Sequence, residues 1–168
     1  MSKIALACAV LTISDTRTAG NDTSGNLLAE NIAHAGHHCQ KREIVKDNVY
    51  QIRRVLSDWI ADEDIQVVIT TGGTGFSHRD STPEAVAPLL DKRIDGFGEL
   101  FRQISHEDIG SSTIQSRAFA GVANHTLVFC LPGSNHACQM AWDRILREQL
   151  DSSYKPCNFA THYGKARS

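Results

Sequence analysis

Residues 65–85 read IQVVITTGGTGFSHRDSTPEA and divide into an apolar run, a glycine turn with an acid behind it, and a helix start. Gln66-Val67-Val68-Ile69-Thr70-Thr71 is β-branched and nearly continuous in its hydrophobicity. That pattern suits a strand buried on both faces of a parallel sheet; an amphipathic helix would repeat its apolar residues every three or four positions. Gly72, Gly73 and Gly75 follow. Without Cβ atoms the backbone is free to take φ > 0 and to bring its N–H groups against a ligand, an anion above all, at the carboxyl end of the strand. Thr82-Pro83-Glu84 then reads as a helix start. Thr82 is the expected cap, Pro83 suits a first turn that needs no N–H, and Glu84 complements the positive end of the dipole.

Two familiar phosphate-binding loops are excluded. A phosphate-loop NTPase needs Lys followed by Ser or Thr after its last glycine, whereas Gly75 is followed by Phe76-Ser77-His78. A dinucleotide fingerprint begun at Gly73 puts His78 where the third glycine belongs. An ordinary strand-to-helix turn remains the alternative, since glycines also mark such turns. Asp80, between the glycines and the helix start, weighs toward a ligand site. If the loop holds a phosphate, Gly73→Val is expected to impair binding more than folding, because a β-branched side chain would fill the phosphate's space and resist φ > 0.

The chain has 168 residues, 41% of them hydrophobic, and a formal net charge of −2. Residues 1–168 are therefore expected to form a single domain, with an irregular tail over 151–168. No basic run or aromatic-interleaved basic stripe appears, so nucleic acid is not an expected partner. The longest apolar run, Ile4 to Leu11, is far too short to span a membrane. It follows a single lysine and passes into Thr12-Ile13-Ser14-Asp15 without a small-residue cleavage site, so it reads as a first strand and not as a secretory signal. A cytoplasmic location follows. Cys8, Cys39, Cys130, Cys138 and Cys157 are odd in number and form no Cys-x-x-Cys pair, which fits reduced, small core residues.

Taken in order, a strand over Ile4–Ile13 ends in Ser14-Asp15-Thr16-Arg17, a polar cluster that is either a ligand-facing strand end or a solvated loop. A helix over Thr23–Ala35 follows, with Leu27, Leu28 and Ile32 inward and Gly36 at its C-terminal end. His37-His38 tempts a metal assignment, but neighbours in a strand face opposite ways and no acid or cysteine is suitably spaced, so both are expected on the surface. A second strand, Cys39–Val45, leads to Lys46-Asp47-Asn48, and Asn48 caps a helix whose apolar face is Ile52, Val55, Leu56, Trp59 and Ile60, with Arg53 and Arg54 solvated. Pro88 is expected to kink or shorten the helix that begins near Thr82. Glycines flanking Phe97 suggest a second tight approach, before a helix carrying Leu100, Phe101 and Ile104. Ala118–Val122 and Thr126–Leu131 are expected to pair as a hairpin around Ala123-Asn124-His125. Pro132-Gly133-Ser134 then leads to a last helix over Asn135–Leu150, capped by Ser134.

Alternating strands and helices imply a three-layer α/β sandwich with a mostly parallel central sheet. Right-handed crossovers would bring Asp15, Asp47, Gly72 to Asp80 and Pro132 to Ser134 to one edge of it. Backbone N–H groups beside carboxylates suit phosphate together with Mg²⁺. No Gly-x-Ser-x-Gly elbow supplies a nucleophile.

Thr71-Gly72-Gly73-Thr74-Gly75, Asp80-Ser81-Thr82-Pro83-Glu84-Ala85, Gly96-Phe97-Gly98-Glu99, Ser116-Arg117-Ala118 and Leu131-Pro132-Gly133-Ser134, in that order and spacing, resemble the MoaB/MogA family of molybdenum-cofactor biosynthesis. Ile44-Val45-Lys46-Asp47-Asn48 and Pro156-Cys157-Asn158-Phe159 resemble the MoaB branch more than the MogA branch. The resemblance implies a molybdopterin-binding fold and transfer of AMP from Mg·ATP to the terminal phosphate of molybdopterin, with release of pyrophosphate. The substrate phosphate is then itself the nucleophile, and catalysis is positioning plus charge neutralisation.

By position, the resemblance makes Asp80 and Asp47 the key carboxylates, with Asp80 meeting Mg²⁺ on the nucleotide. Thr71, Gly72, Gly73, Thr74, Gly75 and Thr82 would hold phosphate, while Ser14, Asp15, Ser116, Pro132, Gly133 and Ser134 would line the pterin and nucleotide pockets. Where relatives often carry lysine after the Pro-Gly-Ser turn, this chain has Asn135-His136, and His136 adds charge only when protonated. A homo-oligomer, trimer or hexamer, is also implied, with Tyr154, Phe159 and Tyr163 ordering against a neighbouring subunit. The competing reading is a non-catalytic molybdopterin-binding or carrier protein; a general nucleotide-binding regulator is a third.

Overall fold

The structure, a computed structural model, describes residues 2–164. Seven stretches of it set the frame: β1 (Ala7–Ile13), α1 (Thr23–His34), β2 (His38–Val45), α2 (Val49–Ala61), β3 (Val67–Thr71), α3 (Thr82–Val86) and β4 (Lys92–Arg93). Then come α4 (Asp95–Ile109), the hairpin strands β5 (Phe119–Ala123) and β6 (Thr126–Leu131), α5 (Asn135–Ala141), α6 (Arg147–Gln149) and α7 (Ala160–Tyr163). The six strands form one sheet in the order β2-β1-β3-β6-β5-β4. β2, β1, β3 and β6 run parallel, and β5 is antiparallel to both β6 and β4.

Alternation along the central strands supplies both apolar layers. Cys8, Val10, Val67, Ile69, Leu127 and Phe129 point to one face, where they meet Leu28, Phe101 and Trp142 of the helices. Ala9, Leu11, Val68, Val128 and Cys130 point to the other, against Ile52, Leu56 and Val86. Strands buried on both sides therefore read as continuous apolar runs, and the expected three-layer sandwich with a mostly parallel sheet is the architecture found. No helix among the described residues is long and apolar enough to cross a membrane.

Several expectations need correction. β1 begins at Ala7 and not at Ile4, because the Ile4 and Leu6 N–H groups bond Ser152 Oγ and His37 Nδ1 instead of a strand. The hairpin closes on Asn124 and His125, with φ of 48° and 63°, so two non-glycine residues supply the left-handed pair that this tight turn requires. The last helix runs on through a π turn at Trp142–Leu146. Pro88 ends α3 early, in a 3₁₀ turn over Ala87–Leu89. The glycines around Phe97 lie in the first turn of α4, and only Gly98 is a tight approach: a β-carbon there would come within 2.8 Å of the Ala118 carbonyl oxygen. Arg53 is no solvated charge, since it donates to the Ala85 and Glu84 carbonyls and ties α2 to α3. Cys157 is exposed, unlike Cys8, Cys130 and Cys138 in the core.

The tail is less irregular than expected. Asn158 donates to the Ser152 and Tyr154 carbonyls and accepts from Thr161, so it gathers the last turns around itself. Phe159 then packs edge-on to Phe129, and Tyr163 packs on Phe159. Both rings, partly buried, pack against the chain's own core. The part of the expected tail over 165–168, like residue 1, lies outside the described residues.

His37 is also not a surface residue: it is 7% exposed, while His38 faces solvent on the opposite side. Its Nδ1 accepts the Leu6 N–H at 3.1 Å, and burial holds the imidazole below its ordinary pKa. With the folded value below the unfolded one of about 6.5, the unfolded chain binds the proton more readily. Stability is thus complete above about pH 6.5 and declines as pH falls through that value toward the folded pKa. His37→Asn keeps an acceptor for Leu6 and does not titrate, so it is expected to flatten the melting temperature between about pH 7 and pH 5. An unchanged slope in the variant would exclude His37 as the source.

Candidate active site

The carboxyl ends of β1, β2, β3 and β6 lie along one edge of the sheet, and a cleft of about 530 Å³ opens there. Its lining includes Ser14, Asp15, Asp47, Gly72, Gly73, Thr74, Gly75, Asp80, Ser116, Pro132, Gly133 and Ser134, so twelve of the fourteen predicted site residues meet in one place. Thr71 and Thr82 do not line it. Both are buried, and they turn their hydroxyls to the Pro132 and Gly72 carbonyls, which fixes one loop against the next.

The glycine loop has a polarity that its sequence only hints at. Gly72 and Gly73 take φ of +106° and +69°. A β-carbon on Gly72 would overlap the Ile13 carbonyl oxygen, and one on Gly73 would overlap Thr82 Oγ1 and come within 2.8 Å of Asp47 Oδ2. Four successive carbonyls are then claimed from behind. Gly72 accepts from Thr82 Oγ1, Gly73 from the Thr82 N–H, Thr74 from the Arg117 N–H and Gly75 from Arg117 Nε. The N–H groups of Gly73, Thr74, Gly75 and Phe76 have no hydrogen-bond partner among the described residues. Unpaired donors in a row are costly in a folded chain unless water or an anion meets them, so the three that belong to cleft residues, at Gly73, Thr74 and Gly75, suit negative charge. Ser116 Oγ is a further orphan: it is buried, has no hydrogen-bond partner among the described residues, and belongs to a cleft residue.

Arg117 is the fastener behind the loop. Besides the Thr74 and Gly75 carbonyls it reaches the Asp80 carbonyl, pairs with the Glu84 carboxylate, and lies over the Phe76 ring at 5.0 Å. That hydrogen bond holds the Glu84 carboxyl below its usual range. Arg117→Lys keeps the charge and loses the planar fork, so it is expected to destabilise the chain by about 2 kcal/mol, checked by denaturant unfolding.

Three carboxylates surround the loop. Asp47, 9% exposed, accepts the Ser81 N–H and hydroxyl at Oδ1; Ser81 and not Thr82 is the boundary residue of α3, and its side chain makes no capping hydrogen bond. Asp80 accepts the Ser77 N–H at Oδ2. Asp47 Oδ2 and Asp80 Oδ1 carry no hydrogen bond from any described residue. Asp15 accepts the Asp47 N–H and both arms of Arg79, and the Arg79 hydrogen bond is the chief reason its carboxyl lies below the ordinary range.

Ser14 lines the cleft, but its Oγ accepts the Thr16 and Arg17 N–H groups of its own turn. Ser134 Oγ accepts the Ala137 N–H as the cap of α5. His136 turns away to Asp108, with Nε2 and Oδ2 3.0 Å apart, and is not a lining residue. Lining residues beyond the predicted site are Ile13, Arg79, Phe101, Ser105, Ile109, Gln115 and Ala137. Phe101, Ser105 and Ile109 stand four apart on α4, and that spacing, with a serine inside an apolar stripe, is the signal that marks them.

Residues 9–152 match the family described as "Probable molybdopterin binding domain". Molybdenum cofactor biosynthesis protein B of Escherichia coli (strain K12) is 52% identical over 157 residues, which are 94% of this chain and 92% of that protein. A crystal structure of a molybdenum cofactor biosynthesis protein B superposes with a TM-score of 0.84 at 48% identity, covering 87% of this chain and 91% of that one. The tungsten cofactor synthesizing protein MoaB from Pyrococcus furiosus superposes with a TM-score of 0.78 at 35% identity, covering 86% and 92%.

Proposed function

From the premise that this chain belongs to the molybdopterin-binding MoaB/MogA family, we propose that it acts in molybdenum-cofactor biosynthesis as a molybdopterin adenylyltransferase. An oxygen of the pterin's terminal phosphate attacks the α-phosphorus of ATP, the bond to the β-phosphate oxygen breaks, and pyrophosphate leaves. The observation that carries this reading is the run of unpartnered N–H groups from Gly73 to Phe76, a cradle for phosphate at the strand edge. Those donors bind and orient the phosphates, and they stand ready for the charge that builds in the transition state. The Pro132-Gly133-Ser134 turn, which lies against Gly72 of the loop, is the surface for the pterin, with Ser116 also in the lining.

A magnesium ion fits the donor set. No group of three or more His, Cys, Asp or Glu forms a metal site among the described residues, so the cation would arrive on the nucleotide phosphates. Asp80 Oδ1 and Asp47 Oδ2 are hard, unpartnered carboxylate oxygens that would complete its ligands. Bound there, the ion supplies neutralisation of phosphate charge.

Purified protein with molybdopterin and Mg·ATP should release pyrophosphate and form adenylated pterin. Pterin binding without pyrophosphate release would replace this reading with that of a carrier. We also infer a cytoplasmic homo-oligomer, trimer or hexamer. Phe76 and Ile114, 68% and 74% exposed and lining one surface groove, support the assembly. A monomer mass by light scattering at micromolar concentration would overturn it.

A further inference from the structure

Among the described residues, those lining the cleft bring together three carboxylates, Asp15, Asp47 and Asp80, and a single cationic side chain, Arg79. A polyphosphate entering there meets a negatively charged surface, and among the described residues Arg79 is the one guanidinium in the lining able to answer it. Its fork is already taken: Nε donates to Asp15 Oδ2 at 2.9 Å and Nη2 to Asp15 Oδ1 at 2.8 Å. A carboxylate presents two oxygens to that fork much as a phosphate does. The two side chains are 54% and 36% exposed, so water screens their attraction and exchange of partners costs little. Asp15 has its own anchorage, because Oδ1 also accepts the Asp47 N–H at 3.1 Å. Arg79 stands one residue before Asp80, on the loop that continues the unpartnered N–H groups of Gly73 to Phe76.

We propose that Arg79 is a phosphate-binding residue held in reserve by Asp15, whose carboxylate stands where two phosphate oxygens will stand and is displaced by them when the ligand binds. Asp15 thereby becomes a competitor for the guanidinium, and its release from Arg79 is part of ligand binding. The inference rests on the phosphorylated ligand of the preceding reading and deepens it, since it names the side chain that answers the phosphate charge.

Metal-free inorganic pyrophosphate is the probe, titrated by calorimetry at low salt into the parent protein, Asp15→Asn, Arg79→Gln and the double variant, with thermal melts verifying each fold. Arg79→Gln is expected to weaken binding by about tenfold, since it removes a charge-assisted fork. Asp15→Asn is expected to tighten binding by about threefold to tenfold, because Asn still accepts the Asp47 N–H but no longer competes for the guanidinium. The gain must disappear in the double variant. A purely structural ion pair would give shifts of one sign for both single variants, because each breaks the same tie. Shifts of one sign, no shift at all, no binding by any of the four proteins, or an Asp15→Asn gain that survives without Arg79 would each overturn the proposal. The adenylation reading is scored separately by pyrophosphate release from ATP. Turnover with same-sign shifts leaves adenylation standing without this role for Arg79, and opposite shifts without turnover leave Arg79 as the phosphate residue of a carrier.

Discussion

Asp80→Asn is expected to lower adenylation turnover by about 100-fold or more while leaving molybdopterin affinity nearly unchanged. Asp80 Oδ2 accepts the Ser77 N–H at 2.9 Å, and its own carbonyl is held by Arg117 at 3.0 Å. Asn offers the same acceptor to Ser77 and the same carbonyl to Arg117, so the loop keeps its shape. What it removes is the charge on the carboxylate, and with it the hard oxygen that Oδ1 would present to a cation on the nucleotide. Neutralisation of the phosphate oxygens suffers in the transition state, and the loss appears in kcat. The surface proposed for the pterin, at Ser116 and the Pro132-Gly133-Ser134 turn, comes from other loops and would not depend on that charge. If Asp80 only braced its turn, Asn would be silent, being an equally good turn residue. Parental turnover in the variant would therefore remove Asp80 from the chemistry; pterin affinity is read in the same preparations.

Gly73→Val is expected to lower stability by about 3 kcal/mol and to abolish pyrophosphate binding with it. A valine at φ +69° is strained, and its β-carbon would overlap Thr82 Oγ1, a fully buried group that holds the Gly72 carbonyl. Asp47 Oδ2, 2.8 Å from the same point, leaves no second direction for relief. For a chain of this size, that loss corresponds to a drop of about 10 °C in melting temperature. The sequence alone points to damage in binding more than in folding. The structure reverses the emphasis, because the missing side chain would strike the α3 side of the loop and not the open cleft. An unchanged melting temperature would show that the loop yields where the contacts say it cannot.

The layers of the fold were legible because burial leaves a periodic trace. Ile69 and Val68 on opposite faces of β3, or Ile52, Val55, Leu56 and Trp59 along α2, announce themselves by spacing. The glycine loop was legible for a related reason, since a missing side chain marks where backbone must come close. Partnerships between distant polar side chains leave no such trace. Nothing local distinguishes Arg79, which faces Asp15 in the cleft, from Arg117, which stands behind the loop. His37 and His38 are identical neighbours of opposite fate, the first buried just before β2 and the second exposed at its start. Thr82 looks like a cap by type and position, yet its hydroxyl goes to the Gly72 carbonyl, and the boundary residue Ser81 is held by Asp47 from the loop after β2. Spacing reports an element's own period and says nothing of which element lies across from it.

A stretch with three glycines in four positions is ordinarily a loose one. Here each carbonyl from Gly72 to Gly75 is fastened to Thr82 or Arg117. The disorder that glycine allows is consequently surrendered once, when the chain folds, and is not charged again against each ligand that arrives. An anion meets backbone donors already in formation, so the glycine loop itself adds no ordering cost to binding and should hold the same course before and after the encounter. Such a cradle favours fast capture and clean release over clamping.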